Sequence, residues 1–111
     1  MHIEEKKLKN ILIVKVLDKR LDASIAYQFK DAMESYISRG DHLIVLNISD
    51  VDFIDSSGLG AIVSSLKMLG DKGDIIVCET QDTVVRMFKL TRMNKIFRMY
   101  ESESEAINAL M

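Results

Sequence analysis

The sequence has no proline and no tryptophan, and only one cysteine and two histidines occur among its 111 residues. The single cysteine, Cys78, excludes an internal disulfide and is typical of a reducing compartment. No apolar run approaches the roughly 20 residues that a membrane-spanning helix needs, and the N-terminus lacks the apolar core of a signal peptide. We therefore expect one small cytoplasmic domain, residues 1–111, that makes no contact with a membrane.

An excess of basic charge is also missing. The formal net charge is -2. We interpret the lysines and arginines as scattered along the chain rather than clustered. Because proteins meet phosphate backbones with basic patches, this pattern argues against nucleic acid as a direct partner.

Several kinds of enzyme are excluded by missing residues. A serine hydrolase needs a histidine base, but His2 stands at the terminus and His42 just before a strand. The sequence has no Gly-x-Ser-x-Gly motif, no phosphate-binding loop with its lysine, and no calcium loop with its closing glutamate. Two separated histidines and one cysteine do not make a zinc site. We expect no catalytic residues, no metal site and no cofactor.

A short polar segment stands between two apolar ones at the centre of the chain. Residues 43–48 form a near-continuous apolar run, typical of a strand that is covered on both faces. After the polar segment, apolar side chains recur at helical spacing at Leu59, Ile62, Val63, Leu66 and Leu69. The segment itself reads Asp55-Ser56-Ser57-Gly58, which is typical of a helix N-terminus. We expect Ser57 to be the N-cap, and Asp55 either to cap the strand end or to orient the Ser56 hydroxyl.

This helix N-terminus allows two interpretations. The first turn of a helix presents N–H groups without internal partners, and the helix dipole makes that end positive. A phosphate that is bound or attached to a serine there would be held by the backbone. The other interpretation is that the serine hydroxyls only cap the helix.

The rest of the chain alternates strands and helices. Residues 2–7 and 11–17 predict a hairpin, and residues 75–78 and 96–100 predict two more strands. Further helices are expected from a cap at Asp22 or Ser24 to about Ser38, from Asp82 or Thr83, and after the capping box of Ser102 and Glu105. The predicted fold class is α/β, a small mixed β-sheet of about four or five strands with helices packed mainly on one face.

The segment Phe53-Ile54-Asp55-Ser56-Ser57-Gly58-Leu59-Gly60 resembles the signature of the STAS domains, specifically of the stand-alone bacterial anti-sigma factor antagonists. Other segments of the chain resemble the same family: Arg20-Leu21-Asp22-Ala23-Ser24 before its first helix, Arg86-Met87-Phe88-Lys89-Leu90-Thr91 in its third, and Lys95-Ile96-Phe97 in the strand that follows. One departure is visible. The family usually has Thr-Gly-Leu after the third helix, and this chain has Thr91-Arg92-Met93, without the glycine that normally takes a left-handed turn.

The resemblance implies a partner switch rather than an enzyme. In this family the unphosphorylated domain binds an anti-sigma factor that is also a serine kinase, and the sigma factor is freed. The first serine after the aspartate is the phosphorylation site, which corresponds to Ser56 here, and phosphorylation abolishes binding. A serine/threonine phosphatase restores the binding form. We expect the partner-binding surface to include Asp22, Ser24, Asp55, Ser57, Gly58 and Leu59, with Gly58 and Gly60 leaving room for a partner that approaches closely.

Two alternatives stay open. The same phosphorylation could have another output, such as control of secretion, biofilm formation or a stress complex. The domain could also be a scaffold attached to a membrane transporter, without phosphorylation. The intact serine and the stand-alone length favour the switch.

Overall fold

The computed structural model describes residues 1–111. Its elements in chain order are β1 (Ile3–Leu8), β2 (Ile11–Val16), β3 (Arg20–Leu21), α1 (Ala26–Ser38), β4 (Leu43–Asn47), β5 (Phe53–Ile54), α2 (Ser56–Leu69), β6 (Asp74–Cys78), α3 (Asp82–Leu90), a 3-10 helix (Met93–Lys95), β7 (Met99–Tyr100) and α4 (Glu103–Leu110). No helix is both long and apolar enough to cross a bilayer.

Five strands form the main sheet, in the order β1-β2-β4-β6-β7. β1 and β2 are an antiparallel hairpin in which Ile3 pairs with Val16 and Leu8 with Ile11. The remaining neighbours are parallel, as strand-helix-strand crossovers require. The predicted mixed sheet and its hairpin are therefore confirmed.

The two faces of the sheet are covered unequally. Alternate strand residues, such as Leu12, Ile44 and Ile75, belong to a large core that also holds buried residues of α1, α2 and α3. Their neighbours in the strands form a smaller cluster with Ala106 of α4 on the other face. Because successive strand residues point to opposite faces, burial on both sides explains why the strands are apolar throughout. Three helices lie on one face and one on the other, which confirms the predicted arrangement.

The apolar stripe of α2 packs into the large core. Leu59, Ile62 and Leu69 are buried, while Val63 and Leu66 are partly buried against the same cluster. The predicted interior face of this helix is confirmed. The capping box of α4 is confirmed as well, since Ser102 Oγ accepts a hydrogen bond from the Glu105 N–H at 3.1 Å.

Two predicted element boundaries are wrong. α1 begins at Ala26, and neither Asp22 nor Ser24 caps it, because Ile25 holds the N-cap position without a side-chain hydrogen bond. The strand expected at 96–100 is reduced to Met99–Tyr100. The N–H groups of Ile96 and Phe97 donate to the carbonyl of Met93 at 3.0 Å, so this backbone closes a local turn before the sheet begins.

The turn after α3 keeps a left-handed geometry although the family's glycine is replaced. Arg92 has φ 62° and ψ 17°, which costs a residue with a Cβ atom about 1–2 kcal/mol. The departure in the sequence is therefore accommodated by backbone strain and not by a different turn.

Candidate functional site

A short parallel ladder brings two distant loops together. Arg20 pairs with Phe53 and Leu21 with Ile54 in the two-stranded sheet of β3 and β5. Because the strands are parallel, the residues that follow them emerge at the same edge. The loop that starts at Asp22 therefore lies beside the Asp55-Ser56 turn, as the sequence predicted for the docking surface.

Asp55 connects these two loops. One carboxylate oxygen accepts a hydrogen bond from the Gly58 N–H at 3.0 Å, which makes Asp55 the N-cap of α2. The other oxygen accepts from the Ala23 N–H at 3.3 Å, across the gap between the loops. The prediction that Ser57 is the N-cap is wrong, since α2 begins one residue earlier, at Ser56. Asp55 was expected either to cap the strand end or to orient the Ser56 hydroxyl, and the structure shows instead that it caps the helix.

Ser56 and Ser57 are exposed in the first turn of α2. The N–H groups of Gly58 and Leu59 are both bonded to Asp55, whereas the N–H groups of Ser56 and Ser57 have no partner within the chain. An anion at Ser56 would therefore meet two free donors and the positive end of the α2 dipole.

Asp22 and Ser24 form hydrogen bonds with each other. Asp22 accepts from the Ser24 N–H at 3.0 Å and from its hydroxyl at 2.6 Å, and Arg20 Nε donates to it at 3.0 Å. The hydrogen bond from Ser24, followed by the one from Arg20, lowers the pKa of Asp22. The Asp22 carboxylate is thus fixed within its loop and paired with Arg20, and the Ala23–Asp55 hydrogen bond joins this loop to the turn that carries Ser56.

Gly58 and Leu59 do not fit the role of surface contacts. Gly58 is buried, and a Cβ atom at this position would lie 2.1 Å from the Leu21 carbonyl oxygen. Leu59 is 4% exposed and belongs to the core. Both residues support the site from beneath, which corrects the expectation that they contact a partner. Gly60, in contrast, is exposed and has open space around it.

One apolar feature of this surface was missed from the sequence. Phe53 is 40% exposed, and the Arg20 guanidinium stacks over its ring at 4.1 Å from the centroid. Strand alternation could have indicated it, because Ile54 points inward and Phe53 therefore outward. Next to Ser57 runs a shallow groove of about 290 Å³ that is lined by Ala23, Ala26, Tyr27, Lys30, Ser57, Ala61 and Ser64.

His42 lies far from the serines. The His42 carbonyl bonds to the Asp74 N–H at the start of β4 and β6, the sheet edge opposite the beginning of α2. No group of three or more His, Cys, Asp or Glu side chains is placed to hold a metal ion. What the arrangement provides is an exposed hydroxyl beside free backbone donors, on a surface braced by two carboxylates.

Known proteins resemble this chain over almost its whole length. The STAS domain profile matches residues 2–106. An anti-sigma F factor antagonist of Paenibacillus polymyxa is 32% identical over 113 residues, which cover 99% of this chain and 95% of that protein. A Thermotoga maritima protein provisionally classed as an anti-sigma factor antagonist superposes with a TM-score of 0.87 at 28% identity, over 96% of this chain and 92% of that one.

The Bacillus protein SpoIIAA is similar in fold and is known in two covalent states. Its unphosphorylated form superposes with a TM-score of 0.74 at 21% identity, over 98% of this chain and 97% of that one. Its phosphorylated form has the same TM-score at 19% identity, over 99% of this chain and 100% of that one.

Proposed function

The chain belongs to the STAS domain family, and from that premise we propose that it is an anti-sigma factor antagonist controlled by phosphorylation of Ser56. The unphosphorylated domain binds an anti-sigma factor that is also a serine kinase, and the sigma factor is released. The kinase uses ATP and Mg²⁺ to phosphorylate Ser56, the complex dissociates, and a serine/threonine phosphatase reverses the step. The domain acts in the cytoplasm by binding and serves as the substrate of these enzymes.

The environment of Ser56 is the observation that carries this proposal. The side chain is exposed on the first residue of α2, and the N–H groups of Ser56 and Ser57 have no partner. A phosphoserine at this position is stabilised by the backbone donors and dipole of its own helix. The domain can therefore carry the phosphate without refolding, so that only binding changes.

The added charge is large relative to that of the domain. Phosphorylation adds about -1.5 to -2 charges, which takes the formal net charge from -2 to nearly -4. The Asp55 carboxylate stands next to Ser56, and the Asp22 carboxylate on the adjoining loop is paired with Arg20. A partner that fits this nearly balanced surface would meet a strongly negative patch after phosphorylation. If desolvation of the phosphate and repulsion by nearby acids cost the complex about 3–4 kcal/mol of binding free energy, binding would weaken by about a hundred- to a thousandfold.

The neighbouring residues have separate roles in this proposal. Asp55 fixes the position of Ser56 by capping α2 and bracing the Ala23 loop. The exposed groups of Ser24, Ser57 and the Arg20–Phe53 pair make contact with the partner. Gly58 and Leu59 hold this surface in place from inside.

Phosphorylation of each serine tests the site assignment. The kinase is first identified by co-purification with the tagged, unphosphorylated chain, and is then incubated with the chain and MgATP. Intact-mass analysis is expected to show one added phosphate on the parent and on Ser57→Ala, and none on Ser56→Ala. Labelling of Ser56→Ala equal to that of the parent would overturn the assignment.

Binding of the same variants tests the switch. In calorimetric titrations against the purified kinase, Ser56→Ala should bind as the parent does, and Ser56→Asp should bind more weakly. Phosphorylated protein should show the largest loss, because aspartate has one charge and no tetrahedral oxygens. Circular dichroism controls for folding. Equal affinities for all four forms would rule out the switch.

A further inference from the structure

Basic residues are concentrated in one segment of the chain, so the interpretation of scattered charge is wrong for this region. Residues 83–100 contain five basic residues and no aspartate or glutamate, which leaves 10 basic against 17 acidic residues in the rest of the chain. The five recur at every third position and are all exposed: Arg86, Lys89, Arg92, Lys95 and Arg98. The segment spans the last two turns of α3, the left-handed turn, the 3-10 helix and the start of β7.

Most of these cations have no acidic partner. Arg98 pairs with Asp74 at 3.0 Å, and every other ion pair of the domain lies elsewhere. Two apolar side chains stand among the cations with large exposed fractions, Leu90 at 73% and Ile96 at 50%. Since exposed apolar groups beside unpaired charges are typical of interaction surfaces, this surface has the composition of a binding site.

A groove of about 730 Å³ runs between α3 and β7 along this surface. α3 and β7 run in opposite directions, so Lys89 and Lys95 line one end of the groove, and Asp82 and Glu101 line the other. The basic end therefore lies at the amino-terminal ends of the parallel strands. α2 begins with Ser56 at the opposite, carboxyl-terminal ends of these strands.

The groove also offers backbone groups without partners. β7 is an edge strand with β6 as its one neighbour, so the backbone groups on its outer side are open to another chain. This open edge is suited to the main chain of a bound peptide.

We propose that this groove binds an extended segment of a partner protein, and that this segment contains both acidic and apolar residues. Lys89 and Lys95 at the basic end of the groove match its charge, and Ile96 matches its apolar side chains. Arg86, Arg92 and Leu90 are exposed beside the groove and extend this surface. A concave groove with an open strand edge fits an extended peptide better than a flat lipid surface. Exposed leucine and isoleucine likewise fit a peptide better than a phosphate backbone. The surface is separate from Ser56 and is a second docking site of the domain.

A labelled acidic peptide tests the proposal. The probe is a fluorescein-labelled dodecapeptide in which glutamate alternates with valine and serine, followed by fluorescence anisotropy at about 50 mM and 300 mM salt, because screening weakens exposed charge pairs. Lys89→Glu/Lys95→Glu should weaken binding by about tenfold or more at low salt. The charge-matched control Lys67→Glu/Lys72→Glu changes two exposed lysines outside the groove and should leave binding within about twofold.

Three results would overturn this proposal: no peptide binding at low salt, an equal loss in both double variants, or tighter binding of a single-stranded oligonucleotide or of anionic vesicles than of the peptide. Thermal melts check that the variants fold. If the glutamate variant does not fold, Lys89→Gln/Lys95→Gln replaces it, with an expected loss of a few-fold and the same control positions changed to glutamine.

Discussion

At the edge of the sheet where α2 begins, the carboxylates of Asp22 and Asp55 are occupied by hydrogen bonds within the domain. On the basic surface at and around the α3–β7 groove, in contrast, four exposed cations have no acidic partner and Arg92 holds a left-handed conformation. The first region is organised before any partner arrives. The second leaves charge and backbone groups unsatisfied, which a partner could satisfy.

The two regions are suited to different kinds of control. In a braced site a single new charge at Ser56 changes what a partner meets while the fold stays as it is. Asp22 and Asp55 already have their partners, and the free N–H groups of Ser56 and Ser57 can receive the new charge. In the groove, binding itself supplies the missing partners, so affinity there should depend strongly on salt.

Gly58→Ala should destabilise the braced region most. The new Cβ atom would lie 2.1 Å from the Leu21 carbonyl oxygen and 2.9 Å from Ile54 Cγ1, so α2 must move away from the β3–β5 ladder. We expect a loss of about 3 kcal/mol in the free energy of unfolding, at the upper end for overpacking. Urea denaturation followed by circular dichroism measures it.

Gly60→Ala is the matched control for this substitution. It lies two residues further along α2, with nothing within 4 Å of its Cβ position. Alanine is the better helix former, so we expect a gain of about 0.5–1 kcal/mol. If both substitutions were equally harmless, the close packing of Gly58 against Leu21 would not be what holds the two loops together.

Much of this architecture could be predicted from the sequence because it rests on local patterns. The apolar runs gave the strands of the sheet, the stripe of α2 its buried face, and Ser102 with Glu105 a capping box that the structure confirms. The position of Ser56 at a helix start followed from its neighbours in the same way. Each of these features depends on residues that lie close together in the chain.

The features that were missed depend on contacts between distant residues. Asp55 and Ser57 are both suitable caps, and the choice of Asp55 follows from the β3–β5 ladder that places Ala23 beside it. The same ladder buries Gly58 against Leu21. The basic surface was missed for a different reason, because it lies within one segment of the chain. Its cations recur at every third residue across α3, a turn and a 3-10 helix, a spacing that is typical of neither an α-helix nor a strand.

Asp55→Ala should destabilise the braced region by a smaller amount. It removes the N-cap and the bond to the Ala23 N–H, and losing a cap costs about 1–2 kcal/mol. Asp55→Asn separates the two interactions, because its one amide oxygen can accept from the Gly58 N–H while its NH₂ group cannot accept from Ala23. The denaturation midpoints should decrease in the order parent, Asp55→Asn, Asp55→Ala. An alanine variant as stable as the parent would contradict the bracing role.

Arg92→Gly should instead stabilise the domain, through the left-handed turn of the basic surface. Glycine adopts φ 62° without the Cβ penalty, and its greater freedom in the unfolded chain offsets part of the gain. We expect an increase of about 0.5–1 kcal/mol in the free energy of unfolding. Arg86→Gly, at an exposed position inside α3, removes the same charge and should cost about 1 kcal/mol. Melting shifts of the same sign would show that charge, rather than backbone strain, is responsible.

The smallest expected effect concerns the fixed negative charge of Asp22. Hydrogen bonds from Ser24 and then Arg20 hold the pKa of this carboxyl below its ordinary value of 3.8. A lowered pKa in the folded state stabilises the fold above the unfolded-state pKa, and this contribution is lost as the pH falls through the folded-state pKa. Ser24→Ala and Arg20→Gln should therefore each raise the pKa of Asp22 towards 3.8. Carboxyl carbon shifts followed by NMR from about pH 6 to pH 2 measure both changes, since that range spans the ionisation of aspartate. If Ser24→Ala leaves the titration of Asp22 unchanged, its charge is not fixed by this loop, and the first region is less organised than its geometry indicates.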